Sequence, residues 1–139
     1  MARGLAWTEY EWANYTRQRQ AAPVALPVAL QASTTPSYRS KTEAHYAQVL
    51  AWRQQAGEIE AWWYEALSLK LAPSTHYRPD FLVLVAEGMP LELHEVKGAW
   101  VREKGWQKLK IAAALYPCFT FRLCQRKEGT WHYRVIPSR

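Results

Sequence analysis

Residues 78–98, RPDFLVLVAEGMPLELHEVKG, decide how this chain is read. Asp80 is the only aspartate in the sequence, and it stands directly before the apolar run FLVLV. A second run, LELHEV, follows after AEGMP; it carries Glu95, with Lys97 two residues further on. Two apolar runs joined by a short Gly-containing segment predict a β-hairpin. A loop of Glu87–Gly88 sets Ala86 against Met89, and a loop of residues 86–89 sets Val85 against Pro90. Both closures give one register, with Asp80 directly across from Glu95. Opposed side chains share a face with Cβ atoms about 5 Å apart, and like charges there repel. Strand alternation puts Lys97 on the face of Glu95 and turns Glu92 and His94 to the other face. Charges at the end of a buried hairpin are costly unless something pairs with them. Two facing carboxylates invite a divalent cation, and Mg²⁺ in particular takes one or two carboxylates and keeps several waters.

Upstream, SKTEAHYAQVLAWRQQAGE (residues 40–58) carries the start and stop signals of a helix. Ser40 and Glu43 have capping-box spacing, and Gly57 sits where a C-terminal glycine belongs. Glu43, Tyr46, Ala47 and Leu50 fall on one helical stripe, which is the inward one. Glu43 therefore has two possible tasks: a third carboxylate facing the hairpin, or the cap. AWWYEALSLKLA (61–72) reads as a strand between this helix and the hairpin, with Trp62 and Trp63 as core and interface residues. Downstream, WVREKGWQKLKIAAALYP (100–117) reads as a helix stopped by Pro117. FTFRL and WHYRVI close the chain as a second hairpin joined at KEGT. Helix, three strands, helix, two strands is an α/β order, and it predicts a mixed central β-sheet flanked by helices.

At 139 residues the chain is long enough for one domain with a real core. That domain is expected over 38–139, behind an N-terminal segment, 1–37. Residues 1–20 read as a helix; 21–37 hold three prolines and no charge, which blocks a continuous helix and predicts a linker or arm. No apolar run approaches the roughly 18 residues of a membrane span, and the first residues lack the apolar core of a signal peptide. An intracellular, cytoplasmic protein without a membrane partner is the expectation. Cys118 and Cys124 are six apart in a predicted strand, about 20 Å if extended, which forbids a disulfide between them. Eighteen Lys and Arg against twelve acids give a net charge of +6, a balance suited to a polyanionic partner such as nucleic acid.

Pro79-Asp80, then Glu95-x-Lys97, with a glutamate on a preceding helix, resembles the PD-(D/E)xK nuclease superfamily. The segments at 40–69, HYRPDFLVL and HEVKG resemble small phage-derived endonucleases and Holliday junction resolvases more closely. The resemblance spans about residues 38–120 and implies a restriction-endonuclease-like core of order α-β-β-β-α-β. It further implies a Mg²⁺-dependent DNA endonuclease, with Mn²⁺ able to substitute. Asp80 and Glu95 would hold the metal, with the Val96 carbonyl and Glu43 as further ligands, Glu43 directly or through water. Lys97 would orient or activate the attacking water. By the same resemblance the substrate is branched DNA, the alternatives being an exonuclease or nicking nuclease on linear DNA or a non-catalytic DNA-binding protein of the same fold; two symmetric cuts call for a homodimer, with the N-terminal arm as its candidate contact. Lys70, His76 and Arg78 cluster before Asp80, and they either touch the DNA backbone or solvate a loop. Lys104 and Lys108 fall in the helical stripe of Val101, Ile111, Ala112 and Leu115; they either snorkel to water or reach a phosphate.

Overall fold

The computed structural model describes residues 37–85 and 91–138. The expected N-terminal helix, the arm as far as residue 36, and the loop of the central hairpin lie outside the described residues.

Helix α1, Lys41–Gln55, begins where the capping serine predicts. Ser40 Oγ accepts the Glu43 N–H at 3.1 Å. At the other end Gly57 takes φ +78°, a left-handed conformation that favours glycine. Its N–H reaches the Gln54 carbonyl at 3.1 Å, and the Glu58 N–H reaches Arg53 at 3.0 Å. This pair of bonds is the Schellman closure. The inward stripe is Tyr46, Ala47 and Leu50, as the periodicity indicates.

The apolar segment 61–72 is not one strand. It forms the end of β1, Ile59–Tyr64, then a break, then β2, Leu69–Ala72. β2 pairs with a short third strand, β3, Thr75–Tyr77, as a separate two-stranded hairpin turning at Pro73–Ser74. The break has a physical cause at Glu65, which takes φ +47° and donates its N–H to the Asp80 carbonyl at 2.8 Å. Its carboxylate meets Arg39 at 2.5 Å and Arg78 at 3.9 Å. A run without Gly or Pro gives no local sign of such a tertiary clamp.

β4, Phe81–Val85, and β5, Leu91–Lys97, pair antiparallel in the expected register, with Phe81 opposite His94 and Leu84 opposite Leu91. Helix α2, Glu103–Leu115, ends two residues before Pro117, with Tyr116 as its cap. It returns the chain to β6, Thr120–Lys127, which lies parallel to β5. β7, Thr130–Ile136, folds back across the Glu128–Gly129 turn, where both residues have positive φ, as a tight hairpin of primed type requires. The result is a mixed five-stranded sheet in the order β1-β4-β5-β6-β7, with β5 at its centre.

The sheet separates two cores. On the α1 side, Tyr46, Leu50, Ile59, Phe81, Val83, Val96 and Cys124 are packed together. On the other side, α2 and the β2–β3 hairpin cover Leu93, Phe121 and Leu123 with Leu69, Tyr77, Leu109, Ala112 and Ala113. Each fully buried Leu, Phe or Val contributes about 1.5–3 kcal/mol. The inward stripe of α2 differs from the expected one. Leu109, Ala112 and Ala113 are buried beside Trp106, whereas Ile111 and Leu115 are 47% and 52% exposed. The helix meets the sheet through its small alanines, and Lys104 and Lys108 are exposed on the outer side with Ile111. Both described cysteines are free thiols, Cys118 exposed and Cys124 buried. Among the described residues no helix is long and apolar enough to cross a membrane.

Candidate active site

Asp80 directly precedes β4, and Glu95 and Lys97 lie near the end of β5. The register brings them to one face of the sheet, the side of α2. Lys97 Nζ stands 2.6 Å from Glu95 Oε1. Asp80 Oδ2 accepts the Val96 N–H at 2.7 Å, which ties the aspartate to the strand that carries Glu95. Val96 itself sends its side chain into the α1-side core.

The electrostatics are unbalanced. Burial and the Glu95 charge push the Asp80 carboxyl up to about 7, against the Val96 N–H and Lys97, which favour the ionised form. Burial opposes the charge on Lys97, but the carboxylates of Glu95, Asp80 and Glu43 outweigh it and hold the amine above its ordinary value. Three carboxylates therefore act on one lysine, and the local excess is negative.

Glu43 lies in the first turn of α1, near enough for its charge to act on both Asp80 and Lys97. Only half of the expected capping box forms. Ser40 caps the helix, yet the Glu43 carboxylate does not reach back to the Ser40 N–H. Its Oε2 accepts the Tyr64 hydroxyl at 2.5 Å and the Arg39 N–H at 3.3 Å. Burial and this bond to Glu43 push the Tyr64 phenol up to about 12. Among the described residues no three Asp, Glu, His or Cys side chains converge as a ready-made cage. The convergent donors are two carboxylates. That set fits Mg²⁺ or Mn²⁺, hard cations that need only one or two protein carboxylates, and it suits neither zinc nor a soft metal.

Tyr77 is the residue that sequence reasoning missed. It stands at the end of β3, is 6% exposed, and donates its hydroxyl to Glu95 Oε2 at 2.7 Å. Burial and the neighbouring Glu95 charge raise its pKa, so the phenol stays a donor. The signal was the Pro73–Ser74 turn, which folds β3 back on β2 and makes Tyr77 an alternating inward residue.

The weaker candidates are partly brought together. Lys70 and His76 are cross-strand partners in the β2–β3 hairpin. His76, Lys104 and Lys108 line a cleft of about 420 Å³ between that hairpin and α2, with Ser74, Thr75 and Gln107. Lys108 Nζ donates to the His76 carbonyl at 3.2 Å. Arg78 lies apart from this group, turned toward Glu65. Another cleft, of about 300 Å³ around Trp106, Arg134 and Pro137, touches none of these residues. No protein-family model, curated protein or solved structure matches the chain.

Proposed function

We propose that the protein is a Mg²⁺-dependent DNA endonuclease with a restriction-endonuclease-like core. The observation that carries this reading is the pairing of Asp80 and Glu95 beside Lys97 on one face of a buried hairpin. A binding protein has no use for carboxylates gathered where a polyanion must come, unless a cation reverses their sign. Asp80 and Glu95, with the Val96 carbonyl, would hold that cation, and Glu43 would act on it through water. When bound, the cation supplies Lewis acidity to the phosphate oxygens and to the attacking water. Lys97, with its amine held protonated by its acidic neighbours, is placed to orient that water and to offset charge on the phosphate. Hydrolysis then leaves a 5′-phosphate and a 3′-hydroxyl.

The cleft of His76, Lys104 and Lys108 supports a nucleic-acid substrate. It is basic, and its His76 precedes Tyr77 on the strand whose next residue touches Glu95. Branched DNA cut by a homodimer is the substrate and assembly proposed, because paired incisions in a four-way junction need two equivalent sites. The test is cleavage of a four-way junction, a fork, a linear duplex and a single strand, with and without Mg²⁺. Preferential paired cutting of the junction is expected. Equal cutting of linear duplex removes the resolvase reading and keeps the nuclease, and no Mg²⁺-dependent cutting of any substrate removes both.

A further inference from the structure

Both oxygens of Glu95 are engaged, and by partners from different places. Lys97 Nζ, on the same strand, meets Oε1 at 2.6 Å, and the Tyr77 hydroxyl, from the β2–β3 hairpin, meets Oε2 at 2.7 Å. The terminal torsion of a glutamate is broad and roughly twofold, so one partner leaves the carboxylate plane loosely set. Two partners on opposite oxygens hold it.

The hairpin that delivers Tyr77 does not belong to the central sheet. Two bonds to its backbone anchor it on α2: Lys108 Nζ to the His76 carbonyl at 3.2 Å, and the Tyr116 hydroxyl to the Lys70 carbonyl at 2.7 Å. Tyr77 itself packs among Leu69, Leu93 and Phe121, with its ring 6.5 Å from that of Phe121. A tyrosine so placed has a buried ring and a hydroxyl that donates to one group, the Glu95 carboxylate.

We propose that Tyr77 is a positioning residue for the candidate metal centre, holding Glu95 in the orientation that binds a divalent cation, and that the β2–β3 hairpin serves to deliver it. This rests on the reading that Asp80 and Glu95 hold the cation. Groups that hydrogen-bond a ligating carboxylate or histidine tune metal affinity, and their loss costs roughly 10–100-fold.

The experiment compares the full chain with Tyr77→Phe, which keeps the ring and removes the hydroxyl. Mn²⁺ binding is titrated by calorimetry without DNA, beside a metal-free thermal melt and cleavage across a range of Mn²⁺. Mn²⁺ affinity is expected to fall about 10–100-fold while a cooperative melt persists, and high Mn²⁺ is expected to restore most of the lost cleavage. A purely packing role would not show that rescue. Mn²⁺ affinity within twofold of wild type overturns the proposal, as does a Tyr77→Phe chain that no longer melts cooperatively. Wild-type protein that binds no Mn²⁺ overturns the reading of the site itself and takes this proposal with it.

Discussion

Strand β5 carries a buried polar group on each of its faces, and the two are built differently. On the α1 face, His94 Nδ1 accepts the Tyr46 hydroxyl at 2.7 Å, and His94 Nε2 donates to Glu92 at 2.8 Å. Cys124 Sγ donates to the same Tyr46 oxygen at 3.2 Å. The donors and acceptors run in one direction, from thiol to phenol to imidazole to carboxylate, which assigns the histidine tautomer. Arg122 Nε lies 2.9 Å from Glu92, off the hydrogen-bond direction, and so balances the charge as an ion pair. Burial holds His94 neutral by lowering its pKa, although Glu92 opposes this. Burial would raise Glu92, but the His94 bond and the Arg122 charge outweigh it and keep the carboxylate ionised. One negative charge meets one positive charge, and among these groups only the Arg122 Nε–H lacks a hydrogen-bond partner.

The opposite face has the same strand, similar burial and an excess of negative charge. Asp80 is pushed toward neutrality by burial and by Glu95. A network of balanced charge ties α1 to the sheet through Tyr46. A network with excess negative charge is costly without a counterion, and on the proposed reading a cation relieves it. The two faces show that buried polarity comes in two kinds, one with its charges balanced and one with an excess of negative charge.

The largest effect that could break this comparison is at Asp80. Asp80→Asn is expected to lower cleavage by roughly 10³-fold or more, the several kcal/mol that a bound cation supplies. In the absence of divalent metal the same substitution is expected to stabilise the protein at pH 8, by on the order of 1–3 kcal/mol. The native carboxyl keeps its proton up to about 7, whereas the unfolded chain releases it near its ordinary value of 3.8. Between those limits the native state binds more protons, so stability falls as pH rises. The gain from Asp80→Asn should therefore fade as pH falls toward 4. Urea titrations at several pH values read this directly; an Asn variant that is less stable at pH 8 would mean that Asp80 is not in excess.

Lys97→Ala comes next, with an expected loss of about 10²–10³ in cleavage rate and Mn²⁺ affinity kept within a few-fold. Calorimetry that finds no Mn²⁺ binding to this variant would assign Lys97 to the cation site instead of to the water. On the α1 face, Tyr46→Phe leaves His94 Nδ1 and the Cys124 thiol without partners. It is expected to cost about 1–3 kcal/mol of stability, with cleavage unchanged well below the melting temperature. The pH signature of this face is opposite in sign. The folded His94 pKa is lowered, so the unfolded chain binds the extra proton, and stability is lost as pH falls below about 6.5. Denaturation of Asp80→Asn across pH 5–8 should show that slope without the Asp80 contribution.

The smallest expected effect is in DNA binding. Lys104→Gln and Lys108→Gln should each reduce the log–log salt slope by about 0.9 on duplex DNA. Arg126→Gln, at the residue that meets His45 of α1, should leave the slope unchanged if the polyanion lies on the α2 side. Equal effects at all three positions would spread the basic charge over the whole surface and dissolve the distinction between the faces.

The register of the central hairpin was legible in the sequence because side-chain alternation has a period of two. A one-residue slip would have turned Asp80 to the face opposite Glu95 and Lys97. The helix ends at Ser40 and Gly57 were legible too, since a capping hydroxyl and a left-handed glycine act within a few residues. The β6–β7 turn is equally local.

Three features were not local, and only the tertiary structure decided them. The break after Tyr64 depends on Asp80 and Arg39, which hold Glu65 from 15 and 26 positions away. The inward face of α2 was set by which residues let the helix approach the sheet, and small alanines won over Ile111 and Leu115. The partners of the carboxylates, Tyr77 on Glu95 and Tyr64 on Glu43, come from elements 18 and 21 residues away. Periodicity and capping report on neighbours along the chain and so determine elements and faces. A hydrogen bond between distant side chains depends on where whole elements pack, which no short window of sequence contains.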